Sequence, residues 1–124
     1  MLKKYVPEFK KIAMGILTYN DRRIKTSKLE NTINQLTNRE NEVYLWRGPD
    51  RNYDGLLSLE IMDKNLVIVK DIILRHNFQN KVGYNLVLND LQRLMSQKKF
   101  LGAEKLKDIF KEWEKTLPKN KQTI

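Results

Sequence analysis

Leu66-Val67-Ile68-Val69-Lys70-Asp71-Ile72-Ile73-Leu74 runs without a break into Arg75-His76-Asn77-Phe78-Gln79-Asn80-Lys81-Val82-Gly83-Tyr84-Asn85-Leu86. The first nine residues are mostly apolar on both alternating sets, which predicts a strand covered on both faces. Polar residues from Arg75 to Lys81 interrupt it. Tyr84, Val87, Leu88, Leu91, Leu94 and Met95 then repeat at helical spacing, predicting a helix that runs to about Gln97. A strand, a polar loop and a helix in succession place a helix N-terminus beside a strand end, where free amides and the helix dipole suit an anion.

The segments on either side extend this unit into a sheet. Val43-Tyr44-Leu45-Trp46 is rich in strand formers and ends at Gly48-Pro49-Asp50. Leu57, Leu59 and Ile61 alternate with Leu56, Ser58 and Glu60, predicting a half-buried strand. Asp63-Lys64-Asn65 then supplies a tight turn. These strands with short connections predict an antiparallel meander. Phe100-Leu101-Gly102 reads as one more short strand. Leu106, Ile109, Phe110, Trp113 and Leu117 share a face of a last helix, which Pro118 ends.

Upstream, residues 2–6 read as a strand, and Pro7 is placed to open a helix bearing Phe9, Ile12, Ala13, Ile16 and Leu17. Asn20-Asp21-Arg22-Arg23 breaks that helix. Ser27-Lys28-Leu29-Glu30 has the form of a capping box introducing a helix with Leu29, Ile33 and Leu36. The predicted order is β-α-α-β-β-β-α-β-α. It describes one α/β (α+β) domain over residues 1–118, with a mixed, mainly antiparallel sheet, flanking helices and a loose tail over 119–124.

Composition removes several classes of function. With 124 residues the chain suits a single domain. It has no cysteine and one histidine, so thiolate and multi-histidine metal sites are excluded and no metal is expected. Neither a leader-like segment nor an apolar run of bilayer length occurs, so a cytoplasmic protein without a membrane partner is expected. The net charge of +9 favours an anionic partner. Its lysines and arginines are scattered, with no basic stripe carrying interleaved aromatics, so a nucleic acid is the least favoured one.

The element order and the loop after the fourth strand resemble the GNAT (Gcn5-related N-acetyltransferase) family. There a Gln/Arg-x-x-Gly-x-Gly/Ala loop opens the next helix and cradles the coenzyme A pyrophosphate. Aligned without gaps, Gln79 takes the Gln/Arg position, and Val82 and Tyr84 stand where glycine and glycine or alanine belong. Shifted by one, Gly83 takes a glycine position and Asn80 stands for the Gln/Arg. The ungapped register is preferred because it aligns the apolar stripe of the helix. The segment Tyr5 to Leu17, the length and the early stop after the last helix resemble the short RibT proteins of riboflavin operons, which lack the closing strands of longer relatives.

The resemblance implies an acetyl-CoA-dependent N-acetyltransferase acting on an unknown small-molecule or protein amine, and a link to riboflavin biosynthesis. Apolar surface left by the short C-terminus is expected to be covered by a second copy in a homodimer. The resemblance also implies coenzyme A contacts from the main chain of Ile72, Ile73 and Leu74, and from the loop Gln79, Asn80, Lys81, Val82, Gly83 and Tyr84. Glu60 and Asp71 are the candidate general bases. His76 stands where the family commonly has proline, and Ala103 where it often has asparagine. Phe110 stands at the position of the tyrosine that protonates the departing thiolate, and its own character predicts core packing beside Trp113. Tyr44 and Trp46 are candidate cleft residues, with core packing expected for at least one. The missing glycines and tyrosine also support a second reading, a GNAT-like domain that binds without catalysis. A basic nucleic-acid-binding module is the third.

Overall fold

A computed structural model describes residues 1–19, 23–38 and 41–118. Its five strands are β1 (Leu2–Lys4), β2 (Asn41–Arg47), β3 (Tyr53–Ile61), β4 (Leu66–Leu74) and β5 (Lys99–Gly102), in the sheet order β1-β2-β3-β4-β5. The first four are antiparallel neighbours, and β5 joins β4 in parallel. The helices are α1 (Lys10–Leu17), α2 (Thr26–Leu36), α3 (Lys81–Leu94) and α4 (Lys107–Glu114). This is the element order that the sequence predicts. The break at residues 20–22 and the tail over 119–124 lie outside the described residues.

The sheet separates two cores. Tyr44, Trp46, Leu57, Leu59, Val67, Val69, Ile72 and Leu74 face α3 and α4, where they meet Val87, Leu88, Leu91, Phe110 and Trp113. Val43, Leu45 and Leu56 face α1 and α2, against Ala13, Ile16, Leu17, Leu29 and Ile33. Two covered faces make β3 a central strand, buried continuously from Asp54 to Leu59, and not the half-buried strand its alternation suggests. Tyr44 and Trp46, two residues apart, share one face. Both are core residues, so neither forms an open substrate wall.

Several boundaries differ from expectation. β1 stops at Lys4, and Pro7–Phe9 is a 3-10 turn before α1. The Ser27–Glu30 capping box does not form. Helix α2 begins at Thr26, with Lys25 as a cap residue that makes no side-chain cap bond, so Ser27 already lies inside the first turn. Helix α3 ends at Leu94.

Two bulges place charged residues within the sheet. Between β2 and β3, Trp46 pairs with Gly55 and Arg47 with Tyr53, leaving Asp54 extra. Between β3 and β4, Ser58 pairs with Asp71 and Leu59 with Val69, leaving Lys70 extra. The second bulge shifts the phase of β4, so Val67 and Val69 before it and Ile72 and Leu74 after it enter the same core. Strand β5 accompanies β4 only through Val69, whose carbonyl accepts a last bond from the Ala103 amide at 2.9 Å. Beyond it the pairing ends, and the second half of β4 has no strand neighbour on that side.

Candidate active site

The loop after β4 is held by its own side chains. Phe78 stands edge-on to Trp46, ring centroids 5.1 Å apart, which fastens the 3-10 turn His76–Phe78 to the core. Gln79 turns back, and its Nε2 donates to the Leu74 carbonyl at 2.7 Å. Asn80 caps α3: its Oδ1 accepts from the Gly83 amide at 2.9 Å, and its Nδ2 donates to the Asn77 carbonyl at 3.0 Å. A Cβ at Gly83 would lie 1.9 Å from the Phe78 carbonyl oxygen, so glycine is required there by close packing. This crowding falls on the residue that the one-residue shift puts on a glycine position. Val82 points into solvent, 67% exposed, and Tyr84 packs against the α3/α4 core.

Beside this loop a cavity of about 270 Å³ opens between Tyr84 and Asn85 of α3 and Asp108, Ile109 and Glu112 of α4. Lys81 stands at its edge with Nζ 3.5 Å from a Glu112 carboxylate oxygen. The cavity lies at the α3 N-terminus, walled by α3 and α4. Ile72 and Leu74 are buried with their side chains in the α3/α4 core, while Ile73 packs toward α1 and α2. The three can therefore offer a ligand their main chain but little else.

The candidate bases lie on the other face of the sheet. Glu60 is opposite Ile68, and Asp71 is opposite Ser58, both on the α1/α2 side. Each meets a lysine: Lys70 Nζ lies 3.8 Å from a Glu60 oxygen, and Lys105 Nζ donates to Asp71. Lys70, Lys105 and Ser58 were not singled out by sequence reading. Ser58 and Lys70 carry one signal, polarity inside an apolar run, Ser58 within Leu56–Leu59 and Lys70 within β4, whereas Lys105 sits in a polar stretch and carries none.

Phe110 is core, as expected, 5.8 Å from Trp113 at 80° between ring planes. It also covers the end of β5: a Cβ on Gly102 would lie 2.4 Å from its ring. Ala103 serves the sheet through its amide. His76 is exposed and borders a separate recess with Tyr19, Arg75 and Asn77. Nearby, Asp54 is fully buried. Burial first, then its hydrogen bond with Asp50, raises its pKa to about 6, against the opposing pull of Arg75 at 3.4 Å. Among the described residues no acidic or histidine cluster is arranged to hold a metal ion, and no helix is long and apolar enough to cross a membrane.

No family model and no curated protein matches this sequence. Solved structures do match in fold. A spermidine N-acetyltransferase SpeG chimera from Vibrio cholerae and hSSAT superposes with a TM-score of 0.62 at 13% identity, over 93% of this chain and 78% of that one. A GNAT-family acetyltransferase from Staphylococcus aureus Mu50 gives 0.53 at 18%, over 91% and 78%. Tetrahymena GCN5 gives 0.52 at 12%, over 94% and 77%. The protein therefore has the GNAT acetyltransferase fold.

Proposed function

We propose that the protein is a cytoplasmic acyl-CoA-dependent N-acetyltransferase that transfers an acetyl group from acetyl-CoA to an amine. The observation that supports this reading is the end of β4–β5 pairing at Val69, which leaves Ile72 to Leu74 without a strand neighbour on that side. A cavity stands at the N-terminus of the helix that follows. Acetyl-CoA would supply the activated acyl group as a thioester. The main chain of Ile72, Ile73 and Leu74 would hold its pantetheine arm along the open edge of β4. The amides of Lys81 and Val82, in the first turn of α3, and the Lys81 ammonium would hold its phosphates.

Near the bulge, Asp71 and Glu60 are the carboxylates able to take a proton from an incoming ammonium. Phe110 has no proton to give, so the departing thiolate would be protonated from the substrate amine or from water. The resemblance of Tyr5 to Leu17 to RibT proteins adds an association with riboflavin biosynthesis as the finer form of this proposal.

A second reading, a non-catalytic binding domain of the same fold, is favoured by one specific observation. The polar groups of the loop already bond to one another, Gln79 to Leu74 and Asn80 to Gly83. Calorimetric titration with acetyl-CoA decides between them. Micromolar binding, weakened by salt and by Lys81→Ala, together with thiol release in the presence of an amine, is expected of the enzyme. Absence of binding favours the second reading.

A further inference from the structure

Three buried polar atoms have no hydrogen-bond partner among the described residues: Asn41 Oδ1, Asp54 Oδ2 and Ser58 Oγ. Asp54 is accounted for by its carboxyl pairing with Asp50. The other two lie on the α1/α2 face of the sheet, in register with the two candidate bases. Asn41 is opposite Glu60, and Ser58 is opposite Asp71. Ser58 is fully buried, in a sheet face whose neighbouring positions are the apolar Val43 and Leu56. A hydroxyl buried without a partner is costly, and an alanine would fill the same place at less cost.

The bulge at Lys70 brings this row to the point where β4 and β5 part. Glu60 and Asp71 supply two carboxylates, and Lys70 and Lys105 supply two ammonium groups paired with them. The four side chains keep between a quarter and two-thirds of their exposure, and ion pairs of that kind are cheaply exchanged for a ligand. The row as a whole is electrically neutral.

We propose that Ser58, Glu60, Lys70, Asp71 and Lys105 form the acceptor subsite, and that the acceptor is a small zwitterion of the amino-acid class, a primary amine carrying a carboxylate a few bonds away. This rests on the acyltransferase reading above. An ammonium brings three N–H donors, which match the Ser58 hydroxyl oxygen and the two carboxylates. It also adds a positive charge beside two lysines in a protein of net charge +9. A zwitterion carries its own compensation, a carboxylate that takes up the lysines as the ammonium takes up their partners. A polyamine brings the opposite, several charges of the sign already in excess.

In the reaction the ammonium gives one proton to Asp71 or Glu60 and thence to solvent. The amine nitrogen bonds to the carbonyl carbon of the thioester, and the carbon–sulfur bond breaks with its electron pair leaving on sulfur. The second nitrogen-bound proton ends on that thiolate, so the products are amide, thiol and one proton.

The test is direct binding to the full chain, by ligand-observed NMR and calorimetry, with and without saturating coenzyme A. The probes are glycine, β-alanine, ethylamine and spermidine. Glycine or β-alanine is expected to bind at least about tenfold more tightly than ethylamine or spermidine. Lys105→Met should remove about that tenfold advantage, with ethylamine binding more tightly than before because Asp71 loses its competing ammonium. Ser58→Ala should weaken zwitterion binding while raising the melting temperature by a few degrees, a combination that a merely structural serine would not give. Equal binding of ethylamine, preference for spermidine, or no binding of any probe in either condition overturns the inference. Coenzyme A titrated separately keeps the two proposals apart. Zwitterion binding without coenzyme A binding retires the acyltransfer reading alone, and the reverse retires this inference alone.

Discussion

The loop after β4 and the bulge within β4 lie on one strand, yet they treat their polar groups in opposite ways. At the loop, Asn80 satisfies a first-turn amide of α3 and Gln79 satisfies the last carbonyl of β4. At the bulge, Ser58 is buried with no partner among the described residues, and the acids Glu60 and Asp71 pair with partly exposed lysines. A region whose polar groups bond to each other is built for its own stability and resists a ligand. A region with orphaned groups carries a cost that a ligand relieves. The loop should therefore answer to mutation chiefly in stability, and the bulge chiefly in binding.

The strongest test of that contrast is Gly83→Ala. The added Cβ meets the Phe78 carbonyl, which is backbone fastened by the Phe78–Trp46 ring contact and has little room to yield. A loss of about 3 kcal/mol, read by urea denaturation, is expected. If stability holds and only acetyl-CoA binding falls, the loop is a ligand cradle first and the contrast is broken.

Asp54, buried at the other bulge, gives the next largest effect. Its pKa is raised from 3.8 to about 6 in the folded protein, mainly by burial and then by Asp50. The folded state thus holds this proton more tightly than the unfolded chain. Its contribution to stability is fully present below pH 4 and is lost as pH rises through about 6, a change on the order of 3 kcal/mol at most. Asp54→Asn should flatten the profile between pH 4 and 6. An unchanged profile would show that another group titrates there.

Much of the fold was legible because its elements announce themselves locally. β4 is a mostly apolar run, interrupted only by Lys70-Asp71, between a tight turn and a polar loop, and its bounds agree with expectation at both ends. The helices carry regular apolar stripes. The parallel pairing of β5 and the parting at Val69 are long-range facts that four residues of strand cannot signal. The bulges were hidden as well, because a phase shift across Lys70 reads as continuous hydrophobicity when both faces are apolar. That is why Glu60 and Asp71 could be noticed as acids, while their partners Lys70, Lys105 and Ser58 could not.

Asn80→Ala separates cap from cradle. Loss of the bond to the Gly83 amide should cost about 1 kcal/mol. It also frees an amide that a phosphate could use, so acetyl-CoA affinity should hold or rise. Weaker binding in parallel with weaker folding would mean that Asn80 itself contacts the ligand.

The smallest effect sharpens the contrast most. Lys81 is the cation nearest the α3 N-terminus, and its ammonium lies 3.5 Å from Glu112, which also takes Lys115 at 3.2 Å. Both pairs are exposed, so their contribution to stability is small, and Glu112→Gln should leave the urea midpoint essentially where it is. The same substitution removes a negative charge from the rim of the cavity and releases Lys81 toward it. An anionic ligand held at the first turn of α3 should then bind several-fold more tightly at low salt, the gain shrinking as salt rises. A gain that Lys81→Ala abolishes locates the effect in that lysine. A gain that survives the loss of Lys81 assigns it to the field of Glu112 alone. No gain at any salt concentration means that phosphate does not reach this end of the helix.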